Sequence, residues 1–217
     1  MCDRVKAAET RIAVLVSGGG TNLQALIDAS GKNGLGGGRL SLVISSSPGA
    51  YALRRAESAG ITTLTIPRRD MTAGEFDGRL CEALLAFSID LVVLAGFMAV
   101  LGQRVLARFD GRIINVHPSL IPSFCGPGMY GLKVHEAALG AGVKVTGATV
   151  HFVNEVVDGG RIILQKAVEV LPDDTPEILQ RRVMEEAEWV LLPRAVALFC
   201  RGQAHITREY EREKGLA

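Results

Sequence analysis

The sequence predicts an α/β fold: a doubly wound, mostly parallel sheet of the Rossmann-like kind, with a late antiparallel strand addition. Short apolar runs alternate with segments of helical periodicity over most of the 217 residues, which is the pattern of strand–helix–strand units. The run Asp-Leu-Val-Val-Leu-Ala at 90–95 is apolar almost throughout, as in strands that are buried on both faces of a parallel sheet. The last two strand-like runs are separated only by a Gly-rich loop, so we expect them to pair antiparallel at one side of the sheet.

Each element is predicted from its local pattern, taken in chain order. The run at 11–16 leads into Ser-Gly-Gly-Gly-Thr-Asn and then into apolar residues at helical spacing, which predicts a strand, a tight turn and a helix. A Gly-rich connection follows at 31–38. Further strands are predicted at 40–45, 61–66, 90–95, 113–116, about 144–153 and 161–170. Further helices are predicted after the Pro-Gly at 48–49 as far as 59, at about 74–87, from Gly96 onward, at 132–139 and at 175–200.

The length and apolar content of the chain predict one domain. With 48% hydrophobic residues, the chain is long enough to bury a full core, and its size falls where a single domain is the default. We expect this domain to span 1–217, with tails at 1–10 and about 207–217, the second of which is strongly charged.

Composition limits the classes of partner. The formal net charge of +1 gives no broad attraction to nucleic acid or anionic lipid, so any phosphate recognition has to be local. The four cysteines are scattered without a C-x-x-C pair, which argues against a zinc site or a disulfide framework and favours a reduced, cytoplasmic setting. No signal-type apolar core and no run of the roughly 20 apolar residues that span a bilayer occurs in the sequence. We therefore expect neither a nucleic-acid nor a membrane partner.

The stretch Arg-Ile-Ile-Asn-Val-His-Pro at 112–118 interrupts an apolar strand with an amide and an imidazole. On a strand, Asn115 and His117 lie on the same face because side chains alternate. Pro118 ends the ladder since it has no N–H, so we expect the pair at the carboxyl end of a strand, where open α/β sheets hold their ligands. The carboxylate that this pair lacks is expected from Asp158, which precedes two glycines. The alternative is that Asp158 is a turn residue, bonded to the backbone of its own loop.

The first turn, Ser-Gly-Gly-Gly-Thr-Asn at 17–22, has two interpretations. Unpaired backbone N–H groups at a helix N-terminus form a natural phosphate cradle. The dinucleotide fingerprint fits poorly, because Leu23 falls where the third glycine belongs and the second strand ends in serines rather than in an acid. A single phosphomonoester is therefore the better candidate ligand. The alternative is a plain tight turn, with Thr21 or Asn22 as the N-cap of the helix.

The other histidines are expected to be structural. No two of the four share the helical i, i+4 spacing, so a metal site has little support. His151 lies on a β-branched strand, where a partly buried, hydrogen-bonded core residue is the plainer interpretation. His135 and His205 are expected on an exposed helix surface and on the tail.

An amide donor, a histidine and a carboxylate beside a phosphate cradle together suggest group transfer through a tetrahedral, oxyanionic intermediate. The sequence offers no obvious G-x-S-x-G serine elbow and no cysteine next to His117 in the chain. Direct attack by the acceptor is therefore favoured over a covalent enzyme intermediate.

These motifs together resemble those of the folate-dependent formyltransferases of purine biosynthesis. The resemblance covers nearly the whole chain and runs through the segments at 12–24, 94–98, 114–122, 149–153 and 158–160. It implies transfer of a formyl group from the co-substrate 10-formyltetrahydrofolate to the amine of glycinamide ribonucleotide, without a metal. The partners are then small molecules, and the chain is expected to be a monomer or a homodimer.

The resemblance also implies roles for individual residues. The catalytic group is Asn115, His117 and Asp158. The phosphate and ribose of the ribonucleotide are held by Gly20, Thr21, Asn22 and Glu188. The glutamate is assigned by its position five residues before a proline, as in the family. The folate pocket is lined by Met98, Ala99, Val100, Leu101 and Asn115.

The chain departs from the family pattern at two points. Ala99 stands where many members have an arginine, so a side-chain contact to the folate is lost or has to be supplied from elsewhere. The loop between Pro122 and His135 is longer than in the family form, and we expect it to cover the site differently.

Other functions on the same core fit the sequence less well. A formyltetrahydrofolate hydrolase carries a regulatory domain before the core, and a strand that begins by about residue 11 leaves no room for it. A methionyl-tRNA formyltransferase needs a further C-terminal domain and a basic RNA surface. A catalytically idle binder of folate or of a phosphorylated metabolite would have no need to retain Asn115, His117 and Asp158 together.

Overall fold

The computed structural model describes residues 9–32 and 34–204. Its strands are β1 (Thr10–Val16), β2 (Gly38–Ser45), β3 (Thr62–Thr65), β4 (Leu91–Leu94), β5 (Ile113–His117), β6 (Val145–Phe152) and β7 (Ile162–Glu169). Its helices are α1 (Thr21–Gly31), α2 (Tyr51–Ser58), α3 (Ala73–Ala86), α4 (Gln103–Arg108), α5 (Leu132–Gly140), α6 (Pro176–Val183) and α7 (Trp189–Cys200).

All seven strands form one sheet in the order β3-β2-β1-β4-β5-β6-β7. The first five strands pair in parallel. The β5–β6 and β6–β7 pairs are antiparallel. The structure thus confirms the predicted doubly wound, mostly parallel sheet and its late antiparallel addition.

The inner strand β1 separates two hydrophobic cores. Its residues Ile12, Val14 and Val16 are fully buried in one core, which also contains buried side chains of α1, α2, α6 and α7. Ala13 and Leu15 are fully buried in the other, together with side chains of α3 and α4. Successive side chains of a strand point to opposite faces, so an unbroken apolar run is needed where helices cover both faces. This arrangement explains why the sequence of β1 has no polar alternation.

The helix predicted from Gly96 onward is wrong, because residues 95–102 are not helical and α4 begins only at Gln103. The carboxylate of Asp77, on α3, accepts the backbone N–H groups of Gly102 (2.9 Å) and Arg104 (2.8 Å). It thereby satisfies donors that the start of a helix leaves unpaired. Since this acceptor lies 25 residues earlier in the chain, the local pattern could not reveal where α4 begins. Residues 96–101 are left as an open loop after β4.

The helix predicted at 175–200 is confirmed in extent, but it is not uniform. The hydroxyl of Thr175 accepts the N–H of Ile178 (3.3 Å), and a proline occupies the first turn, which is a favourable helix start. Between α6 and α7 the chain forms a π-helical turn at Met184–Glu188. The prediction of plain α-helix missed this wider turn.

The two predicted tails lie mostly outside the described residues. Residues 1–8 and 205–217 are not described, whereas Thr10 belongs to β1 rather than to a tail. No helix within 9–32 and 34–204 is long and apolar enough to cross a membrane.

Candidate active site

A cavity of about 780 Å³ opens at the carboxyl ends of the central strands. The strand order reverses at β1, with β2 on one side and β4 on the other, and ligands of open α/β sheets bind at such a switch point. The volume is in the range of small-molecule sites. Its wall is formed by the start of α1, the loop 96–101, the end of β5, residues 126–131 and 151–158, and the helical face that carries Gln180, Met184 and Glu188.

His117 lies at the inner end of this cavity. It is the last residue of β5, one residue beyond the predicted strand, and only 4% of it is exposed. Its Nε2 is 2.9 Å from the carbonyl oxygen of Phe124, and its Nδ1 is 3.5 Å from Oδ2 of Asp158. Both neighbouring atoms are acceptors, so both ring nitrogens are placed to donate.

The carboxylate of Asp158 is held by groups from outside its own loop. Oδ2 accepts the backbone N–H of Gly126 (2.9 Å), and Oδ1 lies 3.7 Å from Nε2 of His151. Burial raises the pKa of Asp158, but the contact with His151, the backbone hydrogen bond from Gly126 and the charge of His117 outweigh it, so the pKa is lowered overall. The carboxylate is therefore ionised at neutral pH. These contacts favour the histidine-partner interpretation over the turn-residue alternative.

The glycines after Asp158 have a packing role. A Cβ at Gly160 would lie 1.8 Å from the carbonyl oxygen of Phe152, which is far inside van der Waals contact. Only glycine therefore lets this loop lie against β6. The close approach fixes the position from which Asp158 reaches the two histidines.

Asn115 and His151 face each other across the β5–β6 pair. Asn115 Nδ2 is 3.1 Å from His151 Nε2, while His151 Nδ1 donates to the carbonyl of Phe152 (2.7 Å). His151 is 1% exposed and hydrogen-bonded, as predicted, but it also lines the cavity. Sequence reasoning missed this second role. The signal that could have found it is the antiparallel register, which puts His151 opposite Asn115.

The first turn is a tight turn whose backbone conformation and packing depend on Gly20. Gly20 is the N-cap of α1 with φ 73°, and a Cβ there would lie 2.5 Å from Cβ of Ala52, so this glycine is required by packing. The suggestion that Thr21 or Asn22 caps the helix is therefore wrong. A Cβ at Gly18 or Gly19 would meet no atom within 4 Å. The open part of the turn lies at these two glycines.

Asn22 and Glu188 form a buried polar pair at the same end of the cavity. Asn22 Nδ2 donates to Glu188 Oε2 at 2.6 Å, and both residues line the cavity. Burial raises the pKa of Glu188, although the bond from Asn22 opposes this. Asn22 Oδ1 has no hydrogen-bond partner within the described residues. The pair is suited to polar, uncharged ligand groups such as hydroxyls.

The part of the cavity lining at the loop 96–101 is apolar, and it adjoins the first turn, where Ser17 Oγ accepts the N–H of Met98 (2.9 Å). Met98 and Val100 are exposed on the loop 96–101, Leu101 is buried beneath them, and Ala99 packs against the core on the α3 side. The exposed side chains of Val156, Val157 and Tyr130 also line this cavity. Exposed apolar residues grouped at a cavity are typical of a surface that binds flat or apolar ligands.

The prediction for His135 is wrong. It was expected on an exposed helix surface, but it is fully buried and lines the cavity. Burial first, and the charge of His117 second, lower its pKa to about 4. The ring is therefore neutral at physiological pH. The other histidine predicted to be exposed, His205, lies outside the described residues.

This lowered pKa has a consequence for stability. A histidine whose folded pKa lies below its unfolded value of 6.5 takes up its proton more readily when unfolded, so the fold loses stability as pH falls from 6.5 towards 4. We expect this group to contribute a loss of about 3 kcal/mol over that window. Urea unfolding of wild type and His135→Phe at several pH values measures it. Equal pH dependence in the two proteins would contradict the assignment.

Comparison with known proteins identifies the family to which the chain belongs. Residues 10–196 match the family described as formyl transferase, and the chain belongs to this family. It is 39% identical over 197 residues to phosphoribosylglycinamide formyltransferase of Haemophilus influenzae, which covers 90% of each chain. It is also 45% identical over 201 residues to the trifunctional purine biosynthetic protein adenosine-3 of Drosophila melanogaster. The match covers 92% of this chain but only 14% of that protein.

Solved structures agree with the family assignment. Glycinamide ribonucleotide transformylase 1 from Symbiobacterium toebii has a TM-score of 0.84 and 45% identity, with 90% of each chain covered. A phosphoribosylglycinamide formyltransferase from Coxiella burnetii has a TM-score of 0.84 and 38% identity, covering 92% of this chain and 90% of the other.

Proposed function

We propose that the chain transfers the formyl group of 10-formyltetrahydrofolate to the amine of glycinamide ribonucleotide, a step of de novo purine biosynthesis. The observation that carries this proposal is the convergence of Asn115, His117 and Asp158 in a cavity whose lining has a polar and an apolar part. The names of the relatives described above support the same substrates.

The ribonucleotide is assigned to the polar part of the lining. We propose that its phosphate is bound at the first turn by Gly20, Thr21 and Asn22, where backbone N–H groups at the start of α1 favour an anion. Glu188 then binds the ribose, since its carboxyl group and the free Oδ1 of Asn22 can accept hydroxyl protons.

The folate is assigned to the apolar part of the lining. Met98, Ala99, Val100 and Leu101 form its wall, and Asn115 extends from β5 towards the formyl group. No lysine or arginine occurs among the described residues that line the cavity. With Ala99 in place of an arginine, the folate is therefore bound here mainly through apolar contact rather than an ion pair.

The reaction is a direct attack. The ribonucleotide amine forms a bond to the formyl carbon, and the carbonyl electrons move to oxygen. The Asn115 amide and the protonated His117 donate to this oxyanion. His117 Nε2 donates to the Phe124 carbonyl in the free protein, so the oxyanion takes the place of that acceptor. The bond to the folate nitrogen then breaks, and that nitrogen receives the proton lost by the amine, with Asp158 keeping His117 charged.

The test is formyl transfer by the purified chain. It is incubated with 10-formyltetrahydrofolate and with glycinamide ribonucleotide, with water as the only acceptor, or with initiator tRNA. We expect transfer to the ribonucleotide alone. Release of formate in water would indicate a hydrolase, and binding without turnover would indicate an idle binder. The assay has to use this chain itself, because the chain spans only 14% to 20% of the length of the trifunctional relatives.

The cellular setting and the partners are proposed from the net charge and the cysteines of the chain. We propose a cytoplasmic enzyme that acts on small molecules as a monomer or homodimer, without nucleic-acid or membrane partners. The net charge of +1 and the free thiols of the described cysteines Cys81, Cys125 and Cys200 are consistent with this setting. Sedimentation of the purified chain distinguishes monomer from dimer.

Gly19→Val tests the phosphate site. The added side chain meets open space in the protein but obstructs the approach of a phosphate to the backbone. We expect KM for the ribonucleotide to rise at least about tenfold, while KM for the folate changes less than about twofold. Steady-state kinetics with each substrate varied in turn measure both constants.

Gly31→Val, at the other end of α1, is the matched control, because a Cβ there also meets open space. It should leave both constants unchanged. Equal effects of Gly19→Val on both substrates would show that the turn is only structural. Gly20 is unsuited to this test because its replacement collides with Ala52.

A further inference from the structure

His135 is a buried polar side chain that lacks a partner. It is 0% exposed, and neither of its ring nitrogens has a hydrogen-bond partner within the described residues. Most buried polar groups in proteins are paired, and an unpaired one costs free energy. Since His135 lines the cavity, a molecule that enters the cavity can supply the missing partner.

His135 lies on the side of the cavity that is assigned to the ribonucleotide. Its helix α5 packs against α6, and α6 continues into the turn that carries Glu188. His117 and His135 both line the cavity. The apolar wall at 96–101 is formed by a different part of the chain. His135 is thus on the same helical side of the cavity as the residue assigned to the ribose.

The hydrogen-bonding groups of the His135 ring limit which groups of a ligand it can bind. A neutral imidazole offers one donor and one acceptor, which suits a hydroxyl or an amide. A phosphate would be better served by a cation or by free backbone N–H groups, and the start of α1 already offers such groups. A folate also carries donors and acceptors on its pterin ring, but the folate is assigned to the wall at 98–101 rather than to the side of α5 and α6.

We propose that His135 is a ribonucleotide-binding residue that hydrogen-bonds an uncharged polar group of the ligand, a ribose hydroxyl or the glycinamide amide. This inference rests on the proposed function, since it assumes the ribonucleotide as ligand. It adds a residue that the family resemblance did not assign.

His135→Phe tests the inference, because phenylalanine fills a similar volume and needs no hydrogen bond. Glycinamide ribonucleotide is titrated into wild type and variant by calorimetry, and thermal unfolding is followed without ligand. We expect Kd for the ribonucleotide to rise about tenfold or more, the loss of about one hydrogen bond. The melting temperature of the free protein should stay the same or rise, because an unpaired buried group is removed. Kd for the folate should change less than about twofold.

Thr146→Val is the matched control. Thr146 Oγ1 is also buried without a partner within the described residues, but the residue does not line the cavity. This variant should be as stable as wild type or more stable, with unchanged affinity for the ribonucleotide. His135→Gln, which keeps a donor and an acceptor, should recover part of the affinity, and it replaces His135→Phe if that variant does not fold.

Two results would overturn the inference. Unchanged ribonucleotide affinity in His135→Phe shows that the ring contacts no ligand. A loss of both stability and affinity in His135→Phe, without recovery in His135→Gln, shows a structural role. Wild-type protein that binds the ribonucleotide but does not formylate it would refute the proposed function and leave the binding role of His135 standing.

Discussion

Replacement of His117 by alanine is expected to lower kcat at least about a hundredfold, the effect of losing a group that moves a proton or stabilises charge. The ring is nearly buried at the end of β5, where it contacts Phe124 and Asp158. The ribonucleotide affinity should change much less, because its phosphate is assigned to the first turn.

The measurement is a turnover assay on protein whose fold has been verified by circular dichroism, alongside a ribonucleotide titration. Gly31→Val serves as a control for general damage to the chain. Near-normal turnover in folded His117→Ala protein would refute the mechanism.

Asp158→Asn is expected to have the second largest effect, a loss of about a hundredfold or more in kcat. Asparagine preserves the size of the side chain and tolerates the backbone conformation at this position, where φ is 56°. The change therefore removes the charge rather than the loop structure. Without the carboxylate, the protonated ring of His117 loses its favourable partner at 3.5 Å.

The sign of the pH effect follows from this contact. In the variant, the His117 ring should lose its proton at lower pH than in wild type, and activity should fall most where the ring has become neutral. NMR titration of the histidines and pH–rate profiles measure the two effects separately, because kinetic values can belong to coupled groups. If the ring titrates at the same pH in both proteins, the two residues are not coupled and Asp158 has only a loop role.

The sequence was sufficient to predict the sheet and the reacting group because both depend on local patterns. Alternation along β5 places Asn115 and His117 on one face, and Pro118 shows where the strand ends. Apolar runs and glycine turns were enough to predict the parallel sheet and the antiparallel pair at its side.

The parts of the site that the sequence did not reveal depend on contacts between distant segments. His135 appears polar and helical in sequence, and only the packing of α5 against α6 shows that it is buried. His151 enters the site through the strand register. The open loop before α4 depends on a carboxylate of α3, Asp77, that no local pattern connects with it.

The π-helical turn at Met184–Glu188 restricts how the chain can vary in length. Such a turn contains one residue more than the same stretch of regular α-helix. Along an α-helix, each residue is rotated by about 100° from the residue before it. Deleting the extra residue would return this segment to regular α-helix without turning α6 relative to α7, whereas a deletion in α6 after Gln180 would turn Gln180 by about 100° away from the side of Glu188. Insertions and deletions among natural relatives should therefore be rare in α6 and α7, apart from the loss of a single residue at 184–188. They should collect instead in the loop at 126–131, where an added residue changes the cover of the site without altering the register of a helix.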